Sequence, residues 1–199
     1  MPQKVFFKQL ELDVLESVYT PQEDSFLLAE HVRIPTKATV LDLGCGTGIQ
    51  GLNAALQGAS RVVCTDINPM ALKNAKQNAS KNGFEKNFVF QESDLFSGLP
   101  PDEQFDCIIF NPPYVSSEKN KKWIETDGGK KGREVLDRFL ESFGTFLKEN
   151  GMVFFVQSSV NGLVQTEKKL KQLGFLFEII ARKKLFFEEL VVFKVEKNH

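Results

Sequence analysis

Cysteine is scarce in this chain, three among 199 residues, and histidine scarcer, with two. Cys45, Cys64 and Cys107 stand apart, with no C-x-x-C spacing. A disulfide framework needs a patterned, even set of cysteines and a structural zinc site needs paired Cys or His ligands, so neither is expected, and free thiols fit a reducing cytoplasm. Long apolar runs are missing too. No window approaches the roughly 18 apolar residues of a membrane span, and the start, Met1-Pro2-Gln3-Lys4-Val5-Phe6-Phe7, lacks a signal-peptide core. Nor is there an excess of either charge: 25 Lys and Arg face 26 Asp and Glu, a formal charge of -1. Such a chain does not hold extended nucleic acid mainly by neutralising phosphates, so nucleic acid is not expected as its primary partner. No linker or repeat divides the sequence, and residues 1–199 are expected to form one domain with an ordinary globular balance, 42% hydrophobic and 26% charged.

What is present is an alternation of short apolar runs and helical patterns. Pro21 to Val32 reads as a helix, and no element is assigned before it. Thr39-Val40-Leu41-Asp42-Leu43 is a buried strand that breaks at Gly44, followed by a helix from Ile49 to Gln57 that Gly58 closes. Arg61 to Thr65 is a second strand. Asn68-Pro69, an N-cap residue with proline at the first helical position, opens a helix to about Asn82. Further strands are expected at Phe88-Val89-Phe90, Asp106 to Phe110 and Met152 to Val156. Between the last two, Val135, Leu136, Phe139, Leu140, Phe143 and Leu147 repeat at helical spacing. A helix from near Asn161 to Leu173 stops at Gly174. Phe175 to Ile180 and Leu190 to Val195 then follow with no helix between them, which makes them an antiparallel pair. The fold class is α/β: a doubly wound, mostly parallel sheet with helices on both faces, its last strand running against the others.

Ligands of such sheets bind beyond the carboxyl ends of the strands, where strand order reverses. Two motifs lie there. In Leu41-Asp42-Leu43-Gly44-Cys45-Gly46-Thr47-Gly48 the glycines let the backbone turn tightly and approach a ligand. Gly46-x-Gly48-x-x-Gly51, with Asp66 about 20 residues beyond Gly46, also fits the dinucleotide fingerprint. Asp42 argues otherwise, because a carboxylate beside the loop repels a pyrophosphate and suits a cation. S-adenosylmethionine carries a sulfonium, an ammonium and no phosphate. Asp66 has two acceptor oxygens for two ribose hydroxyls, and Asp94 can accept from the adenine amino group with Leu95 beside the base. Each acid alone could be a turn or cap residue, but three after three consecutive strands form a pattern.

The second motif, Asn111-Pro112-Pro113-Tyr114, ends the strand Ile108-Ile109-Phe110 and removes two backbone donors. A planar amide or exocyclic amine must rehybridise before its nitrogen can accept a methyl group. Acceptors placed on its N–H groups favour that change and compensate the developing positive charge. Asn111 offers a side-chain carbonyl and Pro112 a backbone carbonyl, the prolines stiffen the segment, and Tyr114 offers a flat face for stacking. Lys119, Lys121, Lys122, Lys130, Lys131 and Arg133 make the following loop basic, either a solvated surface or a docking site, with Trp123 a candidate substrate contact.

The combination resembles the class I S-adenosylmethionine-dependent methyltransferases, and specifically the HemK-like protein-(glutamine-N5) methyltransferases. Residues 18–32, VYTPQEDSFLLAEHV, and 127–140, DGGKKGREVLDRFL, are similar to the short archaeal and eukaryotic release-factor branch. The resemblance implies a Rossmann-like seven-stranded sheet of order 3-2-1-4-5-7-6 with the last strand antiparallel. It implies S-adenosyl-L-methionine as cofactor, contacted by Ser25, Asp42, Gly44, Gly46, Asp66, Asp94, Leu95 and Asn111. It also implies a substrate glutamine, in the Gly-Gly-Gln motif of a class 1 release factor, held by Asn111, Pro112, Pro113 and Tyr114. Members of the branch commonly work with a small zinc-binding activator protein. The apolar strand around Phe88, Val89 and Phe90, expected at the sheet edge, would suit such a partner. The alternatives that remain are a nucleobase N-methyltransferase, a lysine methyltransferase and a dinucleotide-binding protein.

Overall fold

A computed structural model describes residues 3–113 and 133–198. Its main sheet has seven strands: β3 (Thr39–Leu43), β4 (Arg61–Asp66), β5 (Phe88–Glu92), β6 (Phe105–Phe110), β7 (Leu147–Ser158), β8 (Phe175–Lys184) and β9 (Glu189–Lys197). They lie in the order β5-β4-β3-β6-β7-β9-β8. Strands β3 to β7 run parallel, and β9 is antiparallel to both its neighbours. This is the expected sheet. The helices are α1 (Glu23–His31), α2 (Ile49–Leu56), α3 (Pro69–Lys81), α4 (Glu134–Phe146) and α5 (Leu163–Gln172).

The alternation of side chains along each strand divides the core in two. Val40, Cys107, Ile109, Phe154, Val156 and Val192 point to the face covered by α1, α2 and α3. Leu41, Leu43, Ile108, Phe110, Val153, Phe155 and Phe193 point to the other, against Leu136, Phe139, Leu140 and Phe143 of α4 and Leu170 of α5. Burial on both faces is why these strands read as continuous apolar runs. α3 starts as its sequence predicts: Pro69 sits at the first turn and Asn68 accepts from Met70 N at 2.9 Å.

Two features depart from the sequence reading. Strand β7 is longer than the expected Met152 to Val156, because its Leu147 end also pairs, with Phe105. The N-terminal segment forms a separate two-stranded sheet, β1 (Gln3–Phe7) with β2 (Leu10–Val14). Two asparagines on α3 and a third at its C-cap bond the other edge of β2 and the residue that follows it. Leu15 N donates to Asn74 Oδ1 at 2.9 Å, Asp13 N to Asn78 Oδ1 at 2.9 Å and Glu11 N to Asn82 Oδ1 at 3.1 Å. The same three amides donate back to Asp13 O and Glu11 O. Asn78 Nδ2 also donates to Thr47 O at 3.0 Å, which fastens the ladder to the glycine loop. Hydrogen-bonded this way, buried amides at positions 74 and 78 are tolerated where a helix would otherwise present apolar residues.

Candidate active site

The chain lays down β3, β4 and β5 outward in one direction, then returns to place β6 on the other side of β3. Leu43 and Phe110 are register partners, so Gly44 and Asn111 leave the sheet side by side at its carboxyl edge. A cavity of about 700 Å³ opens there. Ser25, Gly44, Gly46, Asp66, Asp94, Leu95, Asn111 and Pro113, all predicted from the sequence, line it. Asp42 and Pro112 are not among the lining residues, and Tyr114, Trp123 and the lysines of the basic loop lie outside the described residues.

The glycine loop turns through left-handed conformations at Gly44, Gly46 and Gly48, with φ of +63°, +52° and +82°. Two of the glycines are also packed closely. A Cβ at Gly48 would meet Ala75 Cβ at 3.0 Å, and one at Gly51 would meet Val62 Cγ1 at 2.9 Å. Asp66 braces the loop, accepting from Gly46 N at 3.0 Å and, through its other oxygen, from Asn68 N at 2.9 Å.

Asp42 does something different from what its position in the sequence suggested. It lies in a strand, and its carboxyl is turned into the interior, 1% exposed, where Oδ2 accepts from Gly51 N at 2.8 Å. Burial pushes its pKa up to about 8, the Gly51 N–H opposing and the Asp66 charge adding to the shift. At neutral pH Asp42 is therefore mostly a neutral brace between β3 and α2, and the negative charge of the cavity wall comes from Asp66 and Asp94. Burial also raises the pKa of the Cys64 and Cys107 thiols, which keeps them protonated.

Asp94 is half-exposed and forms an ion pair with Arg138 of α4 at 2.8 Å. Arg138 lines the cavity as its one cationic side chain among the described residues. The sequence reading missed it, since an arginine on the polar face of a helix 44 residues from its partner gives no signal. Leu95 beside it takes a positive φ of +51°, unusual without glycine. Ser93 supports that turn, its hydroxyl donating to Leu95 O at 2.6 Å and accepting from Gly98 N at 2.8 Å.

Asn111 is held on one side only. Its Nδ2 donates to Asp24 Oδ2 and to Ser25 Oγ, both at 3.2 Å. Asp24 is 2% exposed and also accepts from the Tyr19 hydroxyl and from Ser25 N. A carboxyl facing the amide nitrogen fixes which end of the Asn111 amide is which, because the carbonyl end would be repelled there. Asn111 Oδ1 is consequently buried without a partner among the described residues. Gln50 Oε1 and Thr47 Oγ1, on two other residues of the cavity wall, share that condition. Buried acceptors lacking donors are costly in a folded protein, by roughly 1–3 kcal/mol each, and mark places where a ligand donor fits. Asp24 and Gln50 were not among the predicted site residues. Their signal was available: each is a polar residue at a core-facing position of a helix, and Gln50 Nε2 and Asn53 Nδ2 bond α1 through Ser25 O and Ala29 O.

Arg133 is a correction to the basic-loop reading. Its guanidinium is buried and donates to Asn161 O, Gly162 O and Thr166 Oγ1 at 2.5, 2.9 and 3.0 Å, and to Asp137 Oδ1 at 2.6 Å. It joins the start of α4 to the turn after β7 and is not a cation free for a partner.

The family described as methyltransferase small domain matches residues 17–187. A Methanocaldococcus jannaschii protein provisionally named a protein N5-glutamine methyltransferase is 44% identical over 189 residues, covering 92% of this chain and 93% of its own. Human methyltransferase HEMK2 is 31% identical, covering 91% and 90%. Among solved structures, that of the E. cuniculi Mtq2–Trm112 complex, which methylates the translation termination factor eRF1, superposes with a TM-score of 0.70 at 26% identity, covering 92% of this chain and 99% of that one. A Thermus thermophilus 16S rRNA N2 G1207 methyltransferase solved with AdoMet and guanosine shares the fold, with a TM-score of 0.74 at 21% identity over all of this chain and 50% of its own. These matches set aside the dinucleotide alternative left by the glycine loop: the chain belongs to the methyltransferase small domain family.

Proposed function

We propose that this chain transfers a methyl group from S-adenosylmethionine to the side-chain amide nitrogen of a protein glutamine, that of the Gly-Gly-Gln motif in a class 1 translation release factor. The observation that carries the reading is Asn111, an amide of the cavity wall whose nitrogen is tied back by Asp24 and Ser25 while its carbonyl oxygen has no partner among the described residues. The provisional name of the Methanocaldococcus jannaschii relative, protein N5-glutamine methyltransferase, supports it, as does the eRF1-methylating complex that shares the fold.

The residues fit the cofactor. Left-handed glycines give it backbone at close range, Asp66 and Asp94 suit a ligand of positive charge, and Thr47 Oγ1 and Gln50 Oε1, without partners among the described residues, suit its donors. When bound, it supplies a methyl group on a sulfonium, a leaving group that needs no acid. Asp66 would hold the ribose hydroxyls and Asp94 the adenine amino group, with Arg138 fixing the Asp94 carboxylate and Leu95 beside the base. Asp42 acts indirectly, through Gly51.

On the acceptor side Asn111 Oδ1 takes one N–H of the glutamine amide, and the Pro112 carbonyl is assigned the other. Both draw the nitrogen lone pair out of conjugation and offset its growing positive charge, which is stabilisation specific to the transition state. Tyr114 is assigned to stack on the planar amide and Pro113 to shape the entrance. The attacking nitrogen is neutral, and its proton leaves after transfer, so no general base is required. We assign the β5 edge, where Val89 is 40% exposed, to a small zinc-binding activator subunit.

The test is incubation with labelled S-adenosylmethionine and a release factor carrying Gln or Ala in its Gly-Gly-Gln loop. Label is expected on the Gln protein alone. Equal labelling of both would remove glutamine from the reading.

A further inference from the structure

The carboxyl edge of the sheet carries a second feature beside the cavity. The turn between β8 and β9 holds Phe186 and Phe187 at its tip, 91% and 88% exposed. Their rings meet edge to face with centroids 4.6 Å apart. The turn is braced: Leu185 N donates to Glu188 O at 2.8 Å, Glu189 N donates to Ser159 Oγ at 2.9 Å, and the Ser158 hydroxyl donates to the Glu188 carboxylate. These bonds seat the tip on the turn that follows β7, where Val160 is 66% exposed, and the chain goes on from there into α5, whose second residue, Val164, is 76% exposed. The rings add nothing to the core, yet the backbone holds them together in water, and clustered exposed apolar side chains of this size mark interaction surfaces.

Position and area identify the occupant. Leu190 pairs with Ser158 at the carboxyl end of β7, the strand next to β6 and its Asn111. Lys183 at the base of the turn forms an ion pair with Glu23, the neighbour of the Asp24 and Ser25 that hold the Asn111 amide. The tip therefore stands on the amide side of the cavity, across the sheet from the β4 and β5 ends that carry Asp66 and Asp94. With each phenylalanine worth about 150–250 Å², the two rings and two valines expose roughly 500 Å² of side chain. That is enough for the apolar centre of an interface of about 800 Å² per partner, and about half of the roughly 1,000 Å² or more that each copy of an obligate homodimer buries.

We infer that the Phe186–Phe187 tip is a docking surface for the protein that presents the glutamine, gripping its folded body away from the reacting loop. The inference rests on the glutamine-methyltransferase reading above. Its test compares the full chain with the double variant Phe186→Ser/Phe187→Ser, each purified with whatever subunit accompanies it, on an intact release factor and on a short peptide spanning Gly-Gly-Gln. For the intact factor KM is expected to rise at least about tenfold in the variant with kcat unchanged. Peptide kinetics and melting temperature are expected to be the same for both enzymes. Equal KM for the intact factor overturns the inference and leaves glutamine methylation standing. A lower melting temperature overturns it by showing that the rings pack on their own chain, and a wild-type dimer that the variant converts to monomer overturns it by giving the surface to a second copy. A wild-type chain that labels Gln and Ala acceptors alike fails in its own arm, and removes the glutamine reading and the docking inference together.

Discussion

Asp42→Asn tests whether a carboxyl inside this fold is neutral. Asparagine keeps an oxygen for the Gly51 N–H and removes only the charge that burial disfavours. With the folded-state pKa raised from 3.8 to about 8, the folded chain keeps its proton across a range in which the unfolded chain has lost it. The sign follows: stability is fully present below the unfolded value, falls as pH rises between about 4 and 8, and is flat above. The slope is about 1.4 kcal/mol per pH unit, so the wild type loses about 2.7 kcal/mol between pH 5 and pH 7 that the variant does not. For a chain of this size that is a divergence of about 5–10 °C in melting temperature. Melts of both proteins at pH 5, 6, 7 and 8 would read it, other titrating groups cancelling in the difference. The variant's melting temperature should gain on that of the wild type with each step and exceed it by pH 7. Parallel curves would refute the argument, because they require Asp42 to be ionised in the folded protein.

Asn111→Ala should cut turnover by at least about 10²-fold while cofactor affinity, measured by calorimetry, survives. Asp24→Ala should lower kcat about ten- to a hundredfold, because it frees the Asn111 amide to turn over; unchanged kcat would show that Ser25 alone orients the amide. Asn78→Ala strips partners from the Asp13 N–H and the Thr47 carbonyl and should cost about 2–4 kcal/mol in urea melts. Gly48→Ala combines a φ of +82° with a Cβ contact at 3.0 Å, and should cost about 1–3 kcal/mol and weaken cofactor binding, where a neutral result would mean that the loop relaxes.

The main sheet was legible because its strands are buried on both faces and its helices carry regular stripes, as with Leu136, Phe139, Leu140 and Phe143. The β1–β2 sheet went unassigned although Leu10, Leu12 and Val14 alternate with polar residues and Phe7, Leu10 and Leu12 pack in the core; the asparagines that hold its other edge, Asn74, Asn78 and Asn82, gave no help, because polar residues at helical spacing read as a solvated face. The glycine loop and Asn111 were visible as chemistry at the ends of strands. The state of Asp42 was invisible, because adjacency to a loop says nothing of which way a strand residue points. Arg138 acts through a contact that exists only once α4 and the turn after β5 have been brought to one edge; Asp24 left a sequence signal as a polar residue at a core-facing helix position, but its partner Asn111, 87 residues on, did not show in it.

The asparagine ladder along α3 and its C-cap has a length limit built into it. Four helical residues advance about 6 Å. Two strand residues advance about 6.7 Å. The two rulers therefore drift apart by roughly 0.7 Å per rung, and three rungs already use most of the tolerance of a hydrogen bond. The last of them, at Asn82, is the longest of the three backbone-to-amide bonds at 3.1 Å. A helix can stand in for a β-strand only over such a short span, and the incommensurate periods keep this imitation strand to three rungs.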